Sequence, residues 1–388
     1  MFRKMPFILF ALIVLAGLTH SWIPVSCKSA LYAISLTLKS GILFILPFLI
    51  FGLLFKTAVQ LSKKASKLIL FLLGAICLSN FLSTLISYGI GTLAYQTDLS
   101  LHLIEAGSGL TPAWNFSLPK WVGNGFAMFF GLLLGIVLGR WKPGWAAILS
   151  DRIEKAIFTF FKLFLFVIPL FILGFVIQMY HDQLMGQIIR SYGSIFILIS
   201  LGLFTYIALI YWAANGKGFL QSFKNMMPAA IAGFGSMSSA AAMPLTILGT
   251  EKNARNPDLA RSVIPATVNI HLIGDCFAIP IFAFAVLKSF GIAEPSFFAY
   301  LIFAAYFVLA KFSVAAVPGG GILVMLPILE TYLGFDASML SLITALYILF
   351  DPVITCANVL GNGGFAMGID KLFKKQFAEV RYGTTNDR

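Results

Sequence analysis

Four polar side chains stand inside one strongly apolar stretch. The segment FDPVITCANVLGNGG, residues 350–364, carries Asp351, Thr355, Asn358 and Asn362 at spacings of four, three and four. On a helix these share one face. A carboxylate at mid-bilayer depth costs about 2.5–3.5 kcal/mol on insertion scales, and the cost falls when it faces a wet cavity or a partner. This face is therefore predicted to line a site. Gly361, Gly363 and Gly364 strip side chains from the same stretch, where a second backbone or a ligand can come close. Further upstream, Ser238 and Ser239 lie in a serine-rich run, and Asn269, His271 and Asp275 in a polar stretch after Pro265. Ser239, His271 and Asp275 can be drawn as nucleophile, base and orienting acid. However, Ser239 lacks a nucleophile-elbow pattern, and the chain has no His-x-x-x-His cluster or phosphate loop, which argues against a membrane-embedded hydrolase. The chemistry these residue types suit is the binding of a small polar solute and its release on the other side of a membrane.

Composition sets the environment in which these residues work. Of 388 residues, 59% are hydrophobic and 11% charged, with mean hydropathy +0.93, which places the chain among polytopic membrane proteins in a lipid bilayer. The net charge of +12 follows the positive-inside rule rather than indicating a nucleic-acid partner. Lys63, Lys64 and Lys67, then Arg140 to Lys155, then Lys217 and Lys224, Lys252 to Arg261 and Lys371 to Arg381 gather in alternate connections, whereas residues 96–119 and 181–187 are nearly free of basic residues. Both termini are thus predicted to be cytoplasmic in a multi-pass cell-membrane protein. The apolar run after Arg3 and Lys4 is read as a first membrane helix, because a second long span follows without a small-residue cleavage site between them. Cys27, Cys77, Cys276 and Cys356 show no metal or disulfide spacing and are read as packing residues. No cofactor is predicted.

Hydropathy predicts six conventional spans in a first half, 1–214, at about 5–25, 35–60, 67–95, 121–139, 155–180 and 186–214. This half is mostly scaffold. The third span carries Ser79, Asn80, Ser83, Thr84 and Ser87. Such residues either bond back to helix carbonyls and neighbouring helices, or hold a cation or substrate. A core, 215–375, follows, with a tail at 376–388. In the core, two runs at membrane depth are broken by small and helix-breaking residues: 233–244 (GFGSMSSAAAMP) and 315–322 (AAVPGGGI). Each lies between apolar segments too short for a confident pair of spans, which predicts helices that enter, turn and leave by the same side. Irregular backbone at that depth needs protein or water around it, and paired interruptions of this kind point to a transporter's binding site. A long helix with a polar break is predicted after each, one spanning Pro265–Asp275 and the other the opening stretch. A gated channel is the other class that broken helices serve.

The order of a serine-rich tip, an N-x-[DH] break at Asn269–His271, a VPGGG tip and then D-x-x-x-T-x-x-N-V-x-G resembles the dicarboxylate/amino acid:cation symporter family, the glutamate-transporter homologues. The motifs cover about 219–375; the first half resembles the family by span count and topology. The resemblance implies an all-α fold of about eight transmembrane helices plus two re-entrant helical hairpins, a homotrimer, and an elevator mechanism in which a transport domain, joined by the third and sixth spans, slides through a static scaffold. It also implies residue roles. Ser238 and Ser239, with the tip Val317, Pro318, Gly319 and Gly320, match positions around the substrate. Asp351 matches the holder of its amino group, and Thr355 and Asn358 line the same pocket. This suits an amino acid zwitterion, whose ammonium needs an acceptor and whose carboxylate needs donors.

Three departures stand out. Members that take acidic substrates have an arginine where this chain has Ile354, and an isoleucine cannot fork onto a second carboxylate. A small neutral amino acid is therefore the predicted substrate; an acidic amino acid or dicarboxylate is the alternative. Sodium-coupled members have aspartates where His271 and Asn362 stand, and losing hard oxygen ligands weakens two sodium positions. A third position rests on backbone carbonyls near Thr267 and from Lys311 to Val314. Asn80, Ser83, Thr84, Thr267, Asn269, His271, Asp275, Asn358 and Asn362 are the predicted cation- or proton-coupling residues. His271 is predicted to carry a proton tuned by Asp275 at i+4, or else the two simply tie the broken helix together. Lys311, seven residues before Pro318, either snorkels to an aqueous surface or counters Asp275 or Asp351.

Overall fold

The computed structural model describes residues 5–63, 67–96, 109–119, 121–182, 184–312, 314 and 319–372. Its centre is the helix Ile273–Ser289, in which every residue from Ile273 to Leu287 is buried. A helix apolar all round can only sit inside a core. Numbered in chain order, the helices are α1 Met5–Thr19, α2 Val25–Lys63, α3 Lys67–Gln96, α4 Asn124–Trp141, α5 Pro143–His181, α6 Leu184–Asn215, α7 Phe219–Ser236, α8 Ser239–Glu251, α9 Pro257–Thr267, the central α10, α11 Phe297–Lys311, α12 Gly320–Leu333 and α13 Ala337–Leu372. Among the described residues, three segments are long and apolar enough to cross a membrane: Phe71–Gln96, Tyr192–Asn215 and Met339–Leu372.

The helices fall into two packing groups. α2 packs on α4 and α5, and α1 on α5. α10 is flanked by α3, α13 and α6; α7 packs on α8 and α13; α11 packs on α12 and α3. The α2–α4 contact is set by Gly131 and Gly135, one turn apart on α4. A Cβ at Gly131 would come within 2.7 Å of the Phe51 carbonyl oxygen, and one at Gly135 within 2.6 Å of that of Phe55. Lipid tails are as apolar as leucine, so close backbone approach at small residues supplies the van der Waals contact that holds such helices together.

Several predicted boundaries move. The first span ends at Thr19 rather than 25, and α2 begins at Val25 rather than 35. Its first turns carry Lys28, Ser35 and Lys39, which lower the hydropathy but are all buried. The fourth span runs Asn124–Trp141, and the fifth is extended back to Pro143, whose fixed φ suits a first helical turn. The break in Pro265–Asp275 is present, between α9 and α10, with His271 inside it. The break predicted within 350–364 is not: α13 is one continuous helix with Pro352 inside it. Proline there removes a single N–H donor, which neighbouring packing tolerates.

Gly135→Leu is expected to lower stability by about 1–3 kcal/mol or more, because the leucine must push two backbones apart. The check is the thermal midpoint of the detergent-solubilised protein; an unchanged midpoint would show that α2–α4 packing does not depend on this approach.

Candidate functional site

The unpaired backbone in the α9–α10 break decides what surrounds it. Where a helix stops inside a protein, its free N–H and C=O groups need partners. Asn80 of α3 supplies both: its Nδ2 donates to the Ile270 carbonyl at 2.7 Å, and its Oδ1 accepts from the Leu272 N–H at 3.2 Å. The Thr267 carbonyl accepts from the N–H groups of Ile270 and His271. Asn358 of α13 closes the other side, its Oδ1 accepting from the Gly274 N–H at 2.8 Å while its Nδ2 donates to Asp275 Oδ2 at 2.7 Å.

Asp275, 1% exposed, is where four helices converge. Besides Asn358 it accepts from the Tyr347 hydroxyl at 2.8 Å and lies 3.4 Å from the Lys311 ammonium. Lys311 is fully buried, with its ammonium 4.6 Å from the centre of the Phe307 ring. It does not snorkel; the carboxylate inside the core holds it instead. Gly321 leaves the room Asp275 occupies, since a Cβ there would overlap the Asp275 and Tyr347 side chains. Tyr347 stands beside Asp351 as well. Asp351, 3% exposed, accepts from the Gly319 N–H at 2.9 Å and from the Thr355 hydroxyl at 3.0 Å. Gly319 caps α12 with φ +71°, a left-handed conformation that aims its N–H at the carboxylate and that a side chain would strain.

One turn away lies a second polar cluster. His271, 1% exposed, shares a 2.8 Å hydrogen bond between Nε2 and the Ser79 hydroxyl and packs on Phe365 with ring centres 4.4 Å apart. Its Nδ1 and the Asn362 Oδ1 have no hydrogen-bond partner among the described residues, although the two side chains face each other. Asn362 donates to the Asn358 carbonyl at 2.9 Å, which links the two clusters along α13. The predicted His271–Asp275 pair is not formed. The i+4 rule needs a continuous helix, and the chain leaves helical geometry between Thr267 and Ile273.

Other predicted residues divide. Asp351, Thr355, Asn358 and Asn362 are all buried along one side of α13. Ile354 is fully buried in the hydrophobic core, with its carbonyl against Gly274. Ser238 caps α8, accepting from the Ala241 N–H, and Ser239 is buried in the first turn. Met237 before them has φ +48°, the one non-glycine residue with positive φ among the described residues, so the α7–α8 turn is tight. Ser83 bonds to the Ser79 carbonyl and the Tyr206 hydroxyl, Thr84 to the Asn80 carbonyl, and Ser87 to the Thr84 carbonyl and the Tyr300 hydroxyl. The hydroxyls of that patch thus have hydrogen-bond partners within the chain. Asn269, predicted as a coupling ligand, is exposed on the turn. Gly320 is the buried first residue of α12; Val317 and Pro318 lie outside the described residues, as does the tip at 315–318. Sequence reasoning missed Tyr347, although it stands four residues before Asp351 and a buried hydroxyl needs a partner.

Asp275, Asp351 and Lys311 thus place three ionisable side chains together beside a helix break in the core. The sequence model described as "Sodium:dicarboxylate symporter family" matches residues 125–372, more than half of the chain. The chain belongs to that family. It is 27% identical over 265 residues to excitatory amino acid transporter 3 of Bos taurus, covering 65% of this chain and 49% of that one. It is 24% identical over 262 residues to excitatory amino acid transporter 5 of Homo sapiens (65% and 46%) and 26% identical over 236 residues to an excitatory amino acid transporter of Onchocerca volvulus (60% and 47%). The chain spans about half the length of these curated relatives.

Asn80→Ala is expected to destabilise the protein by about 2–5 kcal/mol, since it leaves one buried carbonyl and one buried N–H unpaired at roughly 1–3 kcal/mol each. Thermal unfolding of the variant in detergent is the measurement. A midpoint equal to wild type would remove Asn80 as the brace of the break.

Proposed function

We propose that the protein is a secondary active symporter that carries a small neutral amino acid across the cell membrane by an elevator motion, driven by a cation gradient of sodium, protons or both. The observation that carries this is Asp351: a buried carboxylate with a donor from Gly319 on one oxygen and from Thr355 on the other, and with isoleucine rather than arginine at position 354. An ammonium is the group such a carboxylate takes. A second carboxylate on the ligand would meet isoleucine, and an unpaired charge in an apolar site costs several kcal/mol. The moving part is α7–α13 with α3 and α6, the helices packed around α10; α7–α8 and α11–α12 are its two re-entrant hairpins. Family membership supports symport, and the resemblance carries the homotrimer and the cytoplasmic termini.

For coupling, His271 and Asn362 stand where carboxylates would hold sodium. His271 takes a proton there, with Ser79 on one ring nitrogen and the free Nδ1 turned to Asn362. The alternative, a symporter of acidic amino acids or dicarboxylates, has Lys311 in its favour as a cation in the same cluster, but Lys311 already faces Asp275.

A ligand that binds only the folded state raises the unfolding midpoint by mass action. Melting the purified protein against neutral and acidic amino acids and dicarboxylates, in sodium and in choline at two pH values, is expected to show stabilisation by a neutral amino acid without a sodium requirement. The same substrate should enter proteoliposomes, with labelled counterflow at a saturable rate, when a proton gradient is imposed. Stabilisation by aspartate or a dicarboxylate in sodium alone would overturn both the substrate and the coupling assignment, and conductance without counterflow would replace the transporter with a channel.

A further inference from the structure

Two carboxylates and one ammonium share the buried space between α10, α11, α12 and α13. Lys311 and Asp275 are 0% and 1% exposed and 3.4 Å apart. The geometry is that of an ion held by charge rather than by a directed bond, because Lys311 Nζ makes no hydrogen bond among the described residues. Asp275 is otherwise supplied with oxygen and nitrogen donors by Tyr347 and Asn358. The backbone oxygens nearest in sequence are already engaged. The Lys311 carbonyl accepts from the Val314 N–H at 3.2 Å, and the Thr267 carbonyl accepts from two N–H groups. Each of these two carbonyls therefore already has at least one N–H partner within the chain.

We propose that Lys311 is a tethered counter-cation: its ammonium supplies to Asp275, permanently, the positive charge that a free cation would otherwise have to bring. Two consequences follow for the reading of α7–α13 as a cation-coupled transport core, on which this proposal rests. First, Asp275 is neutralised in every step of the cycle, and Asp351 is left as the single uncompensated carboxylate, the one that faces the ligand's ammonium. Second, α11 is held to α10 by a charge pair within the chain, so the α11–α12 hairpin keeps this contact whatever the ionic composition outside. A lone buried carboxylate is costly, and removing one partner of a buried pair is strongly destabilising. The same argument predicts what replaces the lysine. Deleting the ammonium exposes a carboxylate and a tyrosine hydroxyl in a space the lysine has vacated, and hard oxygen donors of that kind take up sodium.

The test counts bound sodium without any substrate, using radioactive sodium at equilibrium on the purified full chain in detergent, with choline holding the ionic strength. Lys311→Met is expected to bind one more sodium ion per chain than wild type and to gain a sodium-dependent rise in unfolding midpoint. Asp275→Asn combined with Lys311→Met is expected to return to the wild-type count and lose that added rise. An equal count in wild type and Lys311→Met overturns the proposal, as does an added sodium that persists in the double variant. Should Lys311→Met fail to fold in choline, recovery of folded protein by sodium or by the second substitution supports the tether, and failure of both to recover it overturns it. Because no amino acid is present, a wrong substrate assignment would leave these counts unchanged.

Discussion

The structure depends on how it keeps the Asp275 carboxylate inside an apolar core. An isolated buried carboxylate is untenable, and the chain meets the requirement from three directions at once. Lys311 comes from the end of α11, Tyr347 from α13 one turn before Asp351, and Asn358 from two turns further along the same helix. Each partner fixes the position of its own helix against α10. Gly321 at the start of α12 must lack a side chain for the same reason. The arrangement of four helices therefore follows from one buried charge, and the irregular break just before it is closed by Asn80 and Asn358, whose amides can donate and accept together.

That division of labour explains which residues the sequence makes visible. The face of α13 was legible because its period is helical and its residue types are out of place in an apolar run. The α9–α10 break was legible from Pro265 and the polar residues after it. The pairing of these residues was not. His271 and Asp275 are four apart, but a spacing rule holds only along unbroken helix, and the break that made them noticeable also separated them. Lys311 is a long, flexible cation near the end of a helix, which in most membrane proteins reaches water. Only the position of α10 against α11 shows that a carboxylate waits at its tip. Tyr347 gave a weak signal, since a tyrosine in an apolar run is ordinary until a partner for its hydroxyl is located.

The two polar clusters are one system, because Asn358 and Asn362 belong to both. Asn358 binds Asp275 with its amide nitrogen, and its carbonyl receives the amide of Asn362, which in turn faces His271. A shift of the Asn362 side chain reaches the backbone of α13 at Asn358 through this bond. Asn358 cannot move without loosening both the Gly274 N–H and Asp275. The two clusters are thus joined by a short run of hydrogen bonds along one face of α13.

Asp351 differs from Asp275 in what it still lacks. A carboxylate offers about four lone-pair positions; the Gly319 N–H and the Thr355 hydroxyl sit one on each oxygen, with Tyr347 beside them. The proposed ligand ammonium would therefore join Asp351 without displacing either. This matters for the hairpin, since Gly319 is the residue through which α12 touches the carboxylate. If the ammonium had to compete with Gly319, binding would open the tip. Under the proposed amino acid transport, the ammonium binds alongside, and the bond from the tip to the carboxylate is kept. In that proposal one carboxylate serves both as the anchor of the α12 N-terminus and as the acceptor for the ligand.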